Sequence, residues 1–215
     1  MSCCRHCEGV EDVFSRELAH NDLDDYRRKG ASRQTHMLLA ALHRAGVEGR
    51  NLLDVGGGVG AIQHELFAAG LNAATQVDAS SAYLAASQEE AARRGHAERV
   101  TYIHGNFVDV ADTLDSADYV TLDRVICCYP DMPALVSRSA ARARHLYALV
   151  YPRDRWWSRL GIHLLNLNFW LRRNPFRVFV HPSAQVDAIA AQAGLKLHSR
   201  QFAGLWQVVI YARAG

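Results

Sequence analysis

The chain is marked first by what it lacks. No stretch of its 215 residues is apolar for long enough to span a bilayer. Its first residues, Met1-Ser-Cys-Cys-Arg-His-Cys7, lack the apolar core of a secretory leader, so a cytoplasmic location is expected. An excess of one charge sign is missing too: 24 basic against 22 acidic residues leave a formal +2, which implies no strong nucleic-acid field. The 5 cysteines do not form the dense pattern of a disulfide framework. There is no internal repeat and no low-complexity linker. What remains is 49% hydrophobic and 21% charged, which suits one globular domain with ample core.

The stretch that organises the chain is Asn51-Leu-Leu-Asp-Val-Gly-Gly-Gly-Val-Gly-Ala-Ile62. Leu52, Leu53 and Val55 make the short apolar run of a strand buried on both faces. Gly56, Gly57, Gly58 and Gly60 remove the side chains from the following turn, so its backbone can approach a ligand. A helix over about 61–69, stopped by Gly70, turns its free N–H groups toward the crevice above the strand. A nucleotide-like cofactor is the expected occupant. Gly56-x-Gly58-x-x-Ala61 fits a dinucleotide fingerprint. Asp54-x-Gly56-x-Gly58-x-Gly60 resembles the first motif of class I S-adenosyl-L-methionine (SAM) methyltransferases. Asp54 separates the two physically: a carboxylate beside the turn would repel a pyrophosphate, and it suits a cofactor whose methionine end carries an ammonium and a sulfonium.

Before this turn, the pattern predicts a polar helix from Glu11 to about Lys29 and a second from about Ser32 to Arg44, with Ser32 as N-cap and Gly46 as stop. They read as a helical flap within residues 1–46, ahead of a main domain over 47–215. After the turn, strands are expected at Ala73–Asp78, Arg99–His104, Ala117–Asp123 and His145–Tyr151. Helices are expected from Ser80 to about Arg94, over Ala134–Ala143 and near Ser183–Ala193. Leu195–Phe202 and Leu205–Arg213 read as a closing hairpin. Alternating strands and helices followed by a hairpin predict an α/β fold: a doubly wound, Rossmann-like, seven-stranded sheet with an antiparallel end.

Asp78 ends the second strand, where its two acceptor oxygens suit the ribose hydroxyls of either cofactor; Ala79 follows it. Asn106 and Phe107 follow the third strand. The Asn106 side-chain carbonyl can accept a hydrogen bond from an adenine amine, and Phe107 can pack on the ring. Asp123 and Arg124 end the fourth strand at the same crevice.

The order of these motifs resembles a class I SAM-dependent methyltransferase over about Leu52 to Arg213. Leu122-Asp-Arg-Val-Ile-Cys-Cys-Tyr-Pro130 resembles the post-strand-four segment of magnesium-protoporphyrin O-methyltransferases. Phe176-Arg-Val-Phe-Val-His181 and Arg28-Lys-Gly30 resemble further segments of that family. Cys128 stands where the family has a histidine, so the resemblance points to a small-molecule acceptor rather than to a porphyrin. It implies SAM as cofactor; the basic Tyr26–Lys29 run, Arg28 with it, could reach the SAM carboxylate or an acidic substrate. It also implies Arg124 and Cys127 on the substrate side, and Cys128, Tyr129 or His181 as catalytic groups; Trp157, from an insertion further along the chain, is a further substrate-side candidate. The segment after strand four lacks the Asn/Asp-Pro-Pro-aromatic run of nucleic-acid N-methyltransferases.

An insertion over about 155–180 carries Trp156, Trp157, Leu160, Leu164, Leu167 and Leu171 as one helical stripe. The expected role is an apolar lid packed over the pocket; a basic helix lying on a membrane surface, and plain dimer or core packing, are the alternatives. Cys3, Cys4, His6 and Cys7 are soft-metal ligand types, but a closed zinc site usually draws on two separated pairs, so no metal is assigned. The resulting expectation is in-line methyl transfer from SAM to O, N, S or C of a small, apolar or aromatic molecule, by a monomer or homodimer. Alternatives are a thiol or metalloid methyltransferase using Cys127, Cys128 and the N-terminal cysteines, an NAD(P)-binding reductase, and a non-catalytic metal or thiol sensor.

Overall fold

The structure, a computed structural model, describes residues 13–213. The Cys3–Cys7 cluster lies outside the described residues. Helices α1 (Arg16–Lys29) and α2 (Arg33–Ala45) precede β1 (Asn51–Val55). The chain then alternates through α3 (Ala61–Ala68), β2 (Ala73–Asp78), α4 (Ser81–Arg93), β3 (Val100–His104), a short α5 (Phe107–Val110), β4 (Ala117–Asp123), α6 (Met132–Ala141) and β5 (Ala143–Pro152). Helices α7 (Trp156–Leu171) and α8 (Ser183–Gln192) lead to the hairpin β6 (Leu195–Ala203) and β7 (Trp206–Arg213). The strands form one seven-stranded sheet in the order β3-β2-β1-β4-β5-β7-β6. Strands β1 to β5 run parallel, and β7 is antiparallel to both β5 and β6. The doubly wound sheet with an antiparallel end is therefore as expected.

Strand alternation sends neighbouring side chains to opposite layers. Leu52 joins the core under α1, α2 and α3, whereas Leu53 and Val55 join the core under α5, α6 and α8. Caps act where the sequence places them: Ser32 Oγ accepts from Thr35 N at 3.3 Å, and Ser80 Oγ accepts from Tyr83 N at 3.4 Å.

Some boundaries move for local reasons. Helix α1 starts at Arg16 because Ser15 Oγ takes the Leu18 N–H at 3.3 Å. Helix α6 ends at Ala141, and Ala143, expected in that helix, instead opens β5 by pairing with Ala117. The expected lid stripe is the main correction. Helix α7 forms, but its buried residues are Ser158 and Ile162, and the stripe Trp156, Trp157, Leu160, Leu164, Leu167 and Leu171 faces outward. The opposite, inward face is apolar too, through Leu165, Phe169 and Ile162, and periodicity alone cannot say which of two apolar faces packs.

A buried carboxylate helps clip α1 of the flap to the domain. Glu90 of α4 has no exposed side-chain surface and accepts from Arg27 Nε of α1 at 2.8 Å, Arg93 Nε at 2.8 Å and Arg94 Nε at 2.7 Å. The Arg93 hydrogen bond, with those of Arg94 and Arg27, holds the Glu90 carboxyl far below its ordinary range despite burial. Its contribution is complete above the ordinary carboxylate pKa and is lost as pH falls below it. Glu90→Gln removes the buried counter-charge that the three guanidiniums share, leaving Arg27 with Glu89 and Arg94 with Glu65. It is expected to lower unfolding free energy by about 2–3 kcal/mol at pH 7, with the difference shrinking below about pH 4. Urea midpoints at the two pH values test this, and equal midpoints at pH 7 would remove the clip from the account.

Candidate active site

The β1–α3 turn sits where the order of the sheet reverses, between β1 and β4, the usual place for a crevice at strand C-termini. Close packing explains the glycines. Gly56 has φ 64°, and a Cβ there would lie 2.5 Å from Val125 Cγ2. A Cβ on Gly57 would lie 2.6 Å from Asp54 Oδ2. Gly60 has φ 77° and would meet Ser87 Oγ at 2.3 Å. Two β2 side chains brace the turn: Gly58 N donates to Asp78 Oδ2 at 3.0 Å, and Gln76 Nε2 donates to Gly58 O at 2.8 Å.

Above the turn opens a cavity of about 500 Å³. Gly56, Gly58, Asp78, Ala79, Asn106, Phe107, Asp123, Arg124, Cys127, Cys128 and Tyr129, all singled out from sequence, line it. Asp54, Gly57, Gly60, Arg28, Trp157 and His181 do not. Each of the six has a visible occupation elsewhere. Gly57 and Gly60 are required by packing on the far side of the turn. Arg28 is exposed and pairs with Asp25, as does Lys29 at 2.8 Å, so the basic end of α1 stays away from the cavity. Trp157 lies on the outward face of α7. The His181 Nε2 atom is 3.0 Å from Ile126 O, bracing the turn that carries Cys127 and Cys128 from behind.

Asp54 is buried beneath the turn, where Oδ1 accepts from Thr121 Oγ1 at 2.6 Å and Oδ2 has no hydrogen-bond partner among the described residues. Burial pushes its carboxyl up to about 7, Thr121 opposes this, and the charges of Asp123 and Asp78 add to it. Three carboxylates, Asp22, Asp78 and Asp123, line the cavity itself, and Arg124 is the one arginine or lysine of its lining among the described residues. Asp123 accepts from Thr35 Oγ1 at 2.5 Å and from Arg124 Nε at 3.1 Å. Asp78 Oδ1 accepts from Ser80 N at 2.9 Å. Asp22 accepts from the Tyr83 hydroxyl. Asn106 Oδ1, expected to face an adenine amine, takes the Val108 N–H at 3.2 Å and caps α5.

On the other side the wall is apolar. Arg124 has a positive φ of 63° and turns the chain into the 3₁₀ segment Ile126–Cys128. The Cys127 and Cys128 sulfurs lie 3.7 Å apart as free thiols, and the Cys127 pKa is raised by its hydrogen bond with Cys128 and by burial. Ile162, Leu165 and Phe169 of α7 face them across the cavity, with Phe176, Val178, Leu205 and Trp206. Asn166 pins the 174–180 strap to α7 by two hydrogen bonds with Val178, at 2.7 and 2.8 Å. Edge-to-face ring contacts run from Tyr83 to Phe14 (5.8 Å), Phe14 to Phe176 (5.6 Å) and Phe176 to Phe169 (5.4 Å). This aromatic bridge joins the segment before α1, α4, the strap and α7. Sequence reasoning missed it, along with Asp22 and Tyr83, because no spacing signal links residues so far apart.

Residues 53–144 match the family model described as a methyltransferase domain. No curated protein matches the chain. Among solved structures, the magnesium protoporphyrin IX methyltransferase ChlM from Synechocystis PCC 6803 with bound SAH is similar at 17% identity and a TM-score of 0.73, over 95% of this chain and 98% of that one. An O-methyltransferase family protein from Burkholderia thailandensis is similar at 15% identity and a TM-score of 0.72, over 95% and 63%. The mitomycin 7-O-methyltransferase MmcR follows at 20% identity and a TM-score of 0.65, over 96% and 59%. The resemblance to methyltransferases read from the glycine turn thus holds at the level of the fold and of the central domain.

The buried Asp54 yields a pH signature. Its folded pKa lies near 7 and its ordinary value is 3.8, so the folded state holds more protons between them. Stability from this group is full below about pH 4 and is lost as pH rises to about 7. Asp54→Asn is expected to flatten that slope and to be at least as stable as the parent at pH 8. Urea midpoints at pH 5 and pH 8 check it; an unchanged slope in the variant would assign the slope to other groups.

Proposed function

We propose that this chain is a SAM-dependent methyltransferase acting on a small, apolar or aromatic molecule. The observation that carries the reading is the ring of carboxylates, Asp22, Asp78 and Asp123, around a glycine turn with no side chain at Gly56 and Gly58. A cationic sulfonium cofactor fits this donor set. A dinucleotide pyrophosphate would meet like charge, which weighs against the NAD(P) reductase reading. The donor would lie along Gly56, Gly58, Asp78, Ala79, Asn106, Phe107 and Asp123. Asp54 acts from beneath, as a fixed support of the turn.

Bound SAM supplies a methyl group already made electrophilic by its sulfonium. The protein's task is then to hold the acceptor in line and exclude water. Ile162, Leu165, Phe169 and Phe176 supply the dry wall for a flat or apolar body. Arg124 can orient an acceptor carboxylate or phenolate. Tyr129 and Cys128, both in the lining, are the candidates for holding or taking a proton if the acceptor arrives protonated. His181 is better assigned to positioning, since its ring faces the Ile126 carbonyl. We take residues 47–215 as the catalytic domain, with the flap covering one side of the cavity through Phe14 and Asp22.

One observation favours a second acceptor class. Two thiols 3.7 Å apart in the cavity wall suit a thiol or metalloid acceptor, held as a soft ligand by Cys127 and Cys128.

Thermal shifts test the cofactor. A ligand at a hundred times its dissociation constant adds about 2.7 kcal/mol, or roughly 5–10 °C for a domain of this size. S-adenosylhomocysteine and SAM are expected to give that shift, NADH and NADPH none, and Asp78→Ala is expected to weaken S-adenosylhomocysteine at least about tenfold. A shift with NADPH alone would overturn the methyltransferase reading.

A further inference from the structure

The outward face of α7 is left unused by the site. Trp156 is 75% exposed, Leu171 67%, Leu164 58% and Leu160 53%, on one stripe with Trp157 and Leu167. Trp170, 62% exposed, lies beside it. Contiguous apolar surface of this kind on a single chain marks a contact surface. The patch continues onto the hairpin, because Arg153 lies over both the Trp157 ring at 5.9 Å and the exposed Phe202 ring at 4.4 Å.

Charge identifies the occupant. Residues 153–177 hold six arginines and one acid, Asp154, although the whole chain has a formal charge of only +2. Asp154 is already paired with Arg159 at 2.7 Å. Exposed Arg155 precedes the helix, and exposed Arg172 and Arg173 follow it, so cations flank the stripe at both ends with tryptophans just inside them. A second copy on this face would set the two arginine clusters against each other at a Coulombic cost. An anionic lipid surface satisfies both parts: acyl chains take the leucines, the headgroup boundary takes the indoles, and the lipid charge takes the arginines. At 16 residues α7 lies in the interface rather than crossing it, and among the described residues no helix is long and apolar enough to cross.

We propose that the outward face of α7 docks on an anionic membrane surface. The inner face of the same helix lines the cavity, so docking sets the cavity wall directly against the lipid boundary. The proposal stands apart from the methyl-transfer reading, since docking requires neither cofactor nor turnover.

The test is co-sedimentation of the full chain with phosphatidylcholine vesicles, with and without about one-third phosphatidylserine. The parent is expected in the pellet with the anionic vesicles only, with a blue-shifted tryptophan emission, and is expected to be released at high salt. Leu160→Gln/Leu164→Gln/Leu167→Gln and, separately, Arg155→Gln/Arg172→Gln/Arg173→Gln are each expected to weaken binding at least about tenfold with melting temperature unchanged. The tryptophan shift of the parent is a readout that needs no variant. A parent that stays in the supernatant with unshifted emission overturns the proposal. So does a parent that ignores vesicles and forms a dimer broken by the leucine variant, which would make this face an interface between copies. Vesicle binding that survives both variants overturns it as well.

Discussion

Just past the C-terminal ends of the parallel neighbours β1 and β4, the backbone of Gly56 runs so close to Val125 that a Cβ would come within 2.5 Å of it. That approach fixes the relation between the two halves of the site. The turn after β1 carries the Gly58 N–H to Asp78, and the segment after β4 carries Arg124, Cys127 and Tyr129. Any side chain at Gly56 would wedge these exits apart and open the floor of the cavity. Asp54 and Gln76 beneath the turn and Ser87 and His64 behind it make the same demand at Gly57 and Gly60. A run of glycines that looks like a ligand signature is thus, in three of its four members, a packing requirement.

Electrostatics follows from this geometry. The turn brings Asp54, Asp78 and Asp123 near enough that the two outer charges help raise the buried one. Such a cluster is unfavourable without a cation, and the cavity lining provides only Arg124 among the described residues. A cofactor bearing a sulfonium and an ammonium would relieve that strain on binding. The opposite wall is apolar and rich in aromatic rings, with ring contacts that tie Phe14 and Tyr83 to α7 and its strap. The cavity is therefore polarised, acidic at the glycine turn and apolar at the opposite wall. Helix α7 serves both the apolar end and the outer surface, which is why it is apolar on two sides.

The sequence by itself determined the alternation of strands and helices, the antiparallel hairpin, the caps at Ser32 and Ser80 and the place of the crevice. These depend on local patterns: apolar runs of strand length, hydroxyls at helix starts, and glycines where φ is positive. It also located Asp78, Phe107, Asp123, Arg124 and Tyr129, since residues at strand C-termini in this topology must face the crevice. Only the tertiary structure decided which face of each element is used. Asp54 was legible as an acid beside the turn, yet strand alternation and Thr121 place it underneath. His181 was legible as a possible base, yet it turns to a carbonyl from behind. Asp22, Phe14 and Phe176 reach the cavity through contacts between distant segments, which leave no period in the chain. Helix α7 shows the limit most plainly. Its pattern announces an apolar helix, but burial against Phe176 and Val178 on one side, and a largely exposed stripe on the other, depends on long-range packing that a period cannot encode.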